Sequence, residues 1–107
     1  ARLGESSSAV RARVEAARTL QRERFLKEGV HCNARMRPRH LHRFCRLDTP
    51  GQALLEKVTD RLGLSARSYT RILKVARTIA DLAGSEPIET AHLAEAIQYR
   101  SMDRRMP

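Results

Sequence analysis

The chain predicts an all-α fold, a small bundle of four to five helices, on three observations. Apolar residues recur at i, i+3, i+4 and i+7 over long stretches, and period-2 alternation appears nowhere. Ser, Thr and Pro stand where those stretches begin, and Gly stands where they stop. With no Trp, two Phe and two Tyr, burial must come from Leu, Ile, Val and Ala at helix–helix contacts. A length of 107 residues suffices for one domain with one modest core.

Residues 1–7 read as a frayed tail. A helix from about Ser8 to Glu28 follows, with Ser7 or Ser8 as N-cap and Gly29 as stop. Its apolar stripe is thin: Val10, Val14 and Ala17 align, whereas Leu20, Phe25 and Leu26 drift to either side. A helix with so little to bury projects into solvent or docks on a partner, so it is expected to be weakly packed and outside the core. Residues 29–38 read as a connector, and Pro38 opens a short helix through Cys45. Residues 8–47 thus form a basic helix and connector ahead of a bundle core over 48–100.

Thr49-Pro50-Gly51-Gln52 carries Thr as N-cap, Pro at N1 and Gln at N3, the capping-box arrangement. The helix it opens buries Leu54, Leu55, Val58 and Leu62 and stops at Gly63. Ser65 caps the next helix, which ends near Ala83-Gly84, and Ser85-Glu86-Pro87 forms a turn. A last helix begins at Glu89 or Thr90, turns Leu93, Ala96 and Ile97 inward, and fades after Tyr99-Arg100. Residues 101–107 read as a loose tail.

The helix after Ser65 is the most informative element. At about 100° per residue, Tyr69, Ile72, Leu73, Val75, Ala76, Ile79, Ala80 and Leu82 fill roughly half its circumference. Arg67, Arg71, Lys74 and Thr78 fall together opposite, at i, i+4, i+7 and i+11. So wide an apolar arc suits the middle helix of a bundle, which would hold the cationic row rigid and aim it outward. The row also reads as an ordinary solvated face, because Arg and Lys are good helix formers. Arg67 is distinguished by its place in the first turn, where free backbone N–H groups and the helix dipole attract phosphate.

The formal charge of +9 is unevenly placed. Residues 1–47 hold 12 of the 21 Lys and Arg but only 4 of the 12 acids, a net +8. Arg35, Arg37, Arg39, Arg43 and Arg46 crowd a stretch with no acid, which makes them candidate nucleic-acid contacts. Such a patch equally matches an acidic protein surface, and Phe44 alone supplies no repeated stacking platform for single strands.

His31, Cys32, His40, His42 and Cys45 invite a zinc site, but no C-x-x-C or H-x-x-x-H pair presets two ligands and five Arg would repel a dication. No metal is expected. Two cysteines are too few for a disulfide framework, and Cys45 is expected to be reduced and partly buried beside Phe44. No apolar run nears the roughly 18 residues of a membrane span and no secretory pattern opens the chain, so a cytoplasmic location without membrane contact is expected. There is no G-x-x-x-x-G-K-[ST] and no strand ahead of a glycine, so nothing here cradles nucleotide phosphates unaided. The isolated chain is expected to be catalytically inert.

Two stretches carry a family resemblance: Arg71-Ile-Leu-Lys-Val-Ala-Arg-Thr-Ile-Ala-Asp-Leu82 and Glu95-Ala-Ile-Gln-Tyr-Arg100. Both resemble the C-terminal part of the magnesium-chelatase-like AAA+ ATPases, in the ComM/YifB branch. Ser6-Ser-Ser-Ala-Val-Arg-Ala-Arg-Val-Glu-Ala-Ala-Arg18 resembles the same proteins just after their nucleotide-binding core, so the resemblance covers nearly the whole chain, tightly over 62–100 and loosely over 29–48. It implies a helical lid that folds over ATP in a hexameric motor. It also implies a sensor-2 arginine in a Ser-x-Arg context, here Ser65-Ala66-Arg67, reaching the γ-phosphate either within one subunit or across a subunit boundary. ATP and Mg2+ would then belong to the parent. The implied partners are the nucleotide-binding core of the same chain and neighbouring subunits of a homo-hexamer, with DNA as a further candidate. Arg71 and Lys74 would continue the cationic face toward such a partner. Members of this branch resemble DNA helicases of branch migration, and the chelatase label marks a likeness of fold. Two alternatives stand beside the lid: a basic module binding nucleic acid directly through residues 11–46, and a first helix that serves as a protein-docking arm.

Overall fold

The computed structural model describes residues 5–105, with side chains described through Tyr99. Five α-helices form the domain: α1 (Ser7–Arg24), α2 (Pro38–Phe44), α3 (Thr49–Leu62), α4 (Ala66–Leu82) and α5 (Thr90–Arg105), with a 3-10 turn at Asn33–Arg35 between α1 and α2. Extended pairing among the described residues is limited to one parallel bridge, Leu47 with Ile88, which ties the approach to α3 to the approach to α5. The expected all-α bundle is what the chain forms.

Helix α4 is the hub. It packs on α5 most extensively, and also on α1, α2 and the 3-10 turn. Its buried arc runs through Ile72, Leu73, Ala76 and Ala80, joined by Leu55 of α3 and by Leu93 and Ala96 of α5. Ala76 and Ala80 have no exposed surface, because two small residues one turn apart let neighbouring helices approach closely. Val75 and Leu62, expected inside, are each 37% exposed. Burial on α4 is rotated away from Val75 toward Arg77 and Asp81, both buried.

Boundaries moved where side chains compete for a backbone partner. Ser6, not Ser7 or Ser8, caps α1 by accepting from the Ala9 amide at 3.1 Å. Asp48, not Thr49, caps α3: its carboxylate accepts from the Gly51 amide at 2.8 Å, and Pro50 sits in the first turn. Ser65 caps α4 as expected, accepting from the Ser68 amide at 3.1 Å. Gly63 and Gly84 close α3 and α4 with positive φ. Two histidines at N3 reach back to the residue before their helix: His40 Nδ1 accepts from the Arg37 amide and His92 Nδ1 from the Glu89 amide, both at 2.9 Å. The other ring nitrogen of His40, Nε2, accepts from Arg39 Nε at 3.3 Å and lies 3.4 Å from Glu28 Oε1.

The first 47 residues are more deeply engaged than a thin stripe predicts. Helix α1 ends at Arg24, short of Glu28, because Phe25 turns inward and is 3% exposed. The Phe25 ring meets His40 and Phe44 edge-on, with centroids 6.1 and 5.6 Å away. Val30, Met36 and Cys45 from the connector and the end of α2 join the same core. The reading of α1 as a helix outside the core is therefore corrected at its C-terminal end; toward Ser7 it remains mostly exposed, with Ala17 its only buried position. Of the expected tail over 1–7, residues 1–4 lie outside the described residues, while Glu5 pairs with Arg13 of α1. At the other end α5 continues to Arg105 instead of fading after Arg100. Residues 106–107 of that expected tail lie outside the described residues.

Candidate functional site

Each predicted cation has a definite place on the fold. Arg67 lies in the first turn of α4 and is exposed. It makes no hydrogen bond or ion pair among the described residues. The opposite face of α4 is buried, so the Cα of Arg67 is fixed by the core while its guanidinium stays in solvent. The amides of Ala66 and Arg67 precede the first intrahelical acceptor and point out of the same helix end. The Ser65 hydroxyl engages the Ser68 amide and leaves those two free of a side-chain cap. Backbone donors, the positive end of the helix dipole and a guanidinium thus converge on one exposed corner.

Arg71 is exposed one turn on. Lys74 is half-buried, and its Nζ donates to the Ala34 carbonyl at 3.2 Å. Thr78 leaves the outward row altogether: its hydroxyl accepts from Asn33 Nδ2 at 3.0 Å and donates to the Lys74 carbonyl at 3.1 Å. The row of four therefore faces solvent at Arg67 and Arg71 and meets the 3-10 turn at Lys74 and Thr78. That contact brings Arg35, exposed at the end of the turn, beside the α4 row.

The remaining arginines are exposed, and two of them have structural partners. Arg37, Arg39, Arg43 and Arg46 are exposed along and around α2. Arg39 donates to the Glu28 carbonyl at 3.3 Å, and Arg43 to the Glu28 carboxylate at 2.9 Å. Arg43 also lies over the Phe44 ring, 4.9 Å from its centroid. Structural pairing thus occupies part of the positive surface that the sequence offers to an anion.

The strongest electrostatic feature was not expected. Asp81, 1% exposed, accepts from Arg24 Nη1 and Nη2 at 2.8 and 2.7 Å, from Asn33 Nδ2 at 2.9 Å and from Arg77 Nε at 3.2 Å. Arg77 spends its other nitrogens on the carbonyls of Phe44 and Ser85, at 3.2 and 2.9 Å. One carboxylate thereby joins α1, the 3-10 turn, the end of α2 and the turn before α5. Burial pulls the Arg77 guanidinium below its ordinary pKa, partly offset by the charge of Asp81. The signal was present in the sequence: Arg77 and Asp81 are an i, i+4 pair at the edge of the apolar arc. The long-range partners Arg24 and Asn33 had no local signal.

Among the described residues no group of three His, Cys, Asp or Glu side chains could hold a metal. His40 is committed to Arg37 and Glu28, and Cys45 Sγ donates to Met36 Sδ at 3.9 Å. Burial pushes the Cys45 thiol up from 9.0 to about 11, against the opposing pull of Arg77 and Arg24. No described helix is long and apolar enough to cross a membrane.

Residues 4–100 match the family described as magnesium chelatase, subunit ChlI C-terminal. The chain belongs to this family. The ChlI C-terminal match spans both the α4 corner and the buried Asp81 cluster. Among curated relatives, competence protein ComM of Haemophilus influenzae is 46% identical over 94% of this chain and 19% of its own length. The uncharacterized protein YifB of Escherichia coli is 45% identical over the same shares. An uncharacterized protein of Mycobacterium bovis is 35% identical over 95% of this chain and 20% of its own length. The chain spans about a fifth of the length of the relatives it matches.

Proposed function

We propose that this ChlI C-terminal-type domain is the lid of an AAA+ ATPase, presenting Arg67 as a sensor-2 arginine to a nucleotide held by another part of the parent protein. The observation that carries the reading is the α4 corner. Arg67 is exposed and without a partner among the described residues, yet stands on the most deeply buried helix of the domain. Two free amides beside it suit the same anion. A guanidinium held this way can gain a bond to a γ-phosphate oxygen as charge shifts during hydrolysis, with little reorganisation cost. When bound, ATP with Mg2+ would supply the phosphoryl group and neutralise its charge.

The described residues fit one side of a triphosphate and no more. They include no phosphate-cradling glycine loop and no group of three His, Cys, Asp or Glu side chains for a metal, so the core of the parent would hold the nucleotide and its Mg2+. Arg71 continues the exposed face toward a neighbouring subunit of a homo-hexamer, and Lys74, tied to Ala34, buttresses it. By the resemblance of the α4 and α5 segments, a DNA-translocating motor in the cytoplasm is the corresponding whole-protein reading. The isolated domain is inactive in this account. Steady-state ATP turnover of the full-length parent tests it: Arg67→Ala should lower kcat at least tenfold with KM for ATP changed less than threefold. Unchanged kcat would remove Arg67 from the mechanism.

The nucleic-acid module is the second reading, favoured by the exposure of Arg35, Arg37, Arg39, Arg43 and Arg46. It requires that the 107-residue chain alone bind DNA with affinity that falls steeply with salt. Absence of binding at low ionic strength would dispose of it.

A further inference from the structure

We propose that the cleft between the C-terminal half of α1, the end of α2 and the turn before α5 docks an acidic, apolar segment of a partner protein. The cleft has a volume of about 680 Å³, and its apolar wall is formed by Leu20, Phe44 and Ile88. Leu20 is a large aliphatic side chain left 39% exposed at the rim. Ile88 is buried and held by its bridge to Leu47, so this wall is preformed.

The electrostatics select the other half of the ligand. Arg24 and Arg77 line the cleft against a single carboxylate, Asp81, which leaves one buried positive charge in excess. The terminal nitrogens of Arg77 face only carbonyl oxygens, and its Nε shares the one Asp81 carboxylate with Arg24. Arg46, on the same cleft, is exposed and makes no hydrogen bond or ion pair among the described residues. A carboxylate beside Arg46 would meet an unpaired guanidinium over a floor of like charge, while its apolar neighbour covers Leu20.

Two observations narrow the occupant. Glu23 and Glu86 share the cleft lining, and a phosphate backbone with a charge on every unit would meet both. A peptide that places one carboxylate between apolar side chains would not. A second copy of this domain brings the same basic balance, +9 over 107 residues, and so no acidic excess for Arg46. An acidic stretch of a different polypeptide fits both constraints. Arg67 lies outside the cleft lining, so the inference stands apart from the nucleotide reading.

The test is a methyl and amide NMR titration of the 107-residue chain with the peptide acetyl-Leu-Asp-Phe-amide. Acetyl-Gly-Asp-Gly-amide and a ten-residue thymidine oligonucleotide are the comparison ligands. Shifts should centre on the methyls of Leu20 and Ile88 and weaken at least fivefold with the glycine peptide. Arg46→Glu should weaken binding at least tenfold and Leu20→Ser at least threefold, with both variants folded by circular dichroism. Four outcomes would overturn the proposal: no shift at Leu20 or Ile88, equal binding of the glycine peptide, tighter binding of the oligonucleotide at these residues, or self-association that Arg46→Glu abolishes.

Discussion

Replacing Asp81 by asparagine keeps the shape of the side chain and removes the one negative charge that joins four segments. Four donor contacts at 2.7 to 3.2 Å converge on that carboxylate, and it has no solvent exposure. Removing one member of a buried ion pair costs about 3–5 kcal/mol, because the remaining charge stays buried. Here two guanidiniums are left, one of them only 6% exposed. The asparagine oxygen can still accept from one donor, so about 3 kcal/mol is expected, a large share of the roughly 5–15 kcal/mol that stabilises a typical domain. Urea unfolding followed at 222 nm should show this loss, with Tm lower by about 12 °C or more. Arg24→Met should cost less than the sum of single effects predicts when combined with Asp81→Asn, giving a coupling above about 1 kcal/mol. Because Arg24 anchors α1, protease should then cut sooner near Gly29. A loss below about 1 kcal/mol for Asp81→Asn would refute the view that this cluster binds α1 to the bundle.

Three other outcomes follow from single features. Gly63 sits at φ 61° with nothing within 4 Å of an added Cβ, so Gly63→Ala should cost about 1–2 kcal/mol from backbone conformation alone, by urea unfolding. The raised pKa of Cys45 means the folded state keeps its thiol proton longer than the unfolded state. Its contribution is complete below about pH 9 and is lost as pH rises through about 11, a difference of up to about 3 kcal/mol. Cys45→Ala should flatten that slope of unfolding free energy between pH 9 and 11, and an unchanged slope would count against a buried thiol. At pH 8 a thiol reagent should label half-buried Cys32 before Cys45; the reverse order would place Cys45 at the surface.

Legibility in the sequence followed the range of the interaction. The bounds and main arc of helix α4 were readable, since Ile72, Leu73, Ala76 and Ala80, the Ser65 cap and the closing glycine are local signals, whereas Val75, Thr78 and the Arg77–Asp81 pair left their expected faces. The position of Arg67 follows from those same signals. Cap identities slipped by a residue where two candidates adjoin, as at Asp48 and Thr49, because only geometry decides which side chain turns back on the amides. The depth of the first 47 residues was hidden for a different reason. Phe25, Val30 and Met36 follow no helical period, and Arg24 and Asn33 reach Asp81 across 57 and 48 residues. Binary patterning carries no information on such pairs. A charged residue inside an apolar arc was the available hint, and Arg77 with Asp81 supplied it.

The sharpest test of a phosphate-sensing Arg67 compares two nucleotide states in the full-length parent. Removing a contact made mainly to the transition state costs about 10²–10³-fold in its stabilisation. Arg67→Ala should therefore weaken binding of ADP with aluminium fluoride, a mimic of the transferring phosphoryl group, by about a hundredfold. Affinity for ADP alone should stay within about threefold by the same reasoning. Equal affinities for the mimic in wild type and variant, or an equal loss for both ligands, would contradict the account.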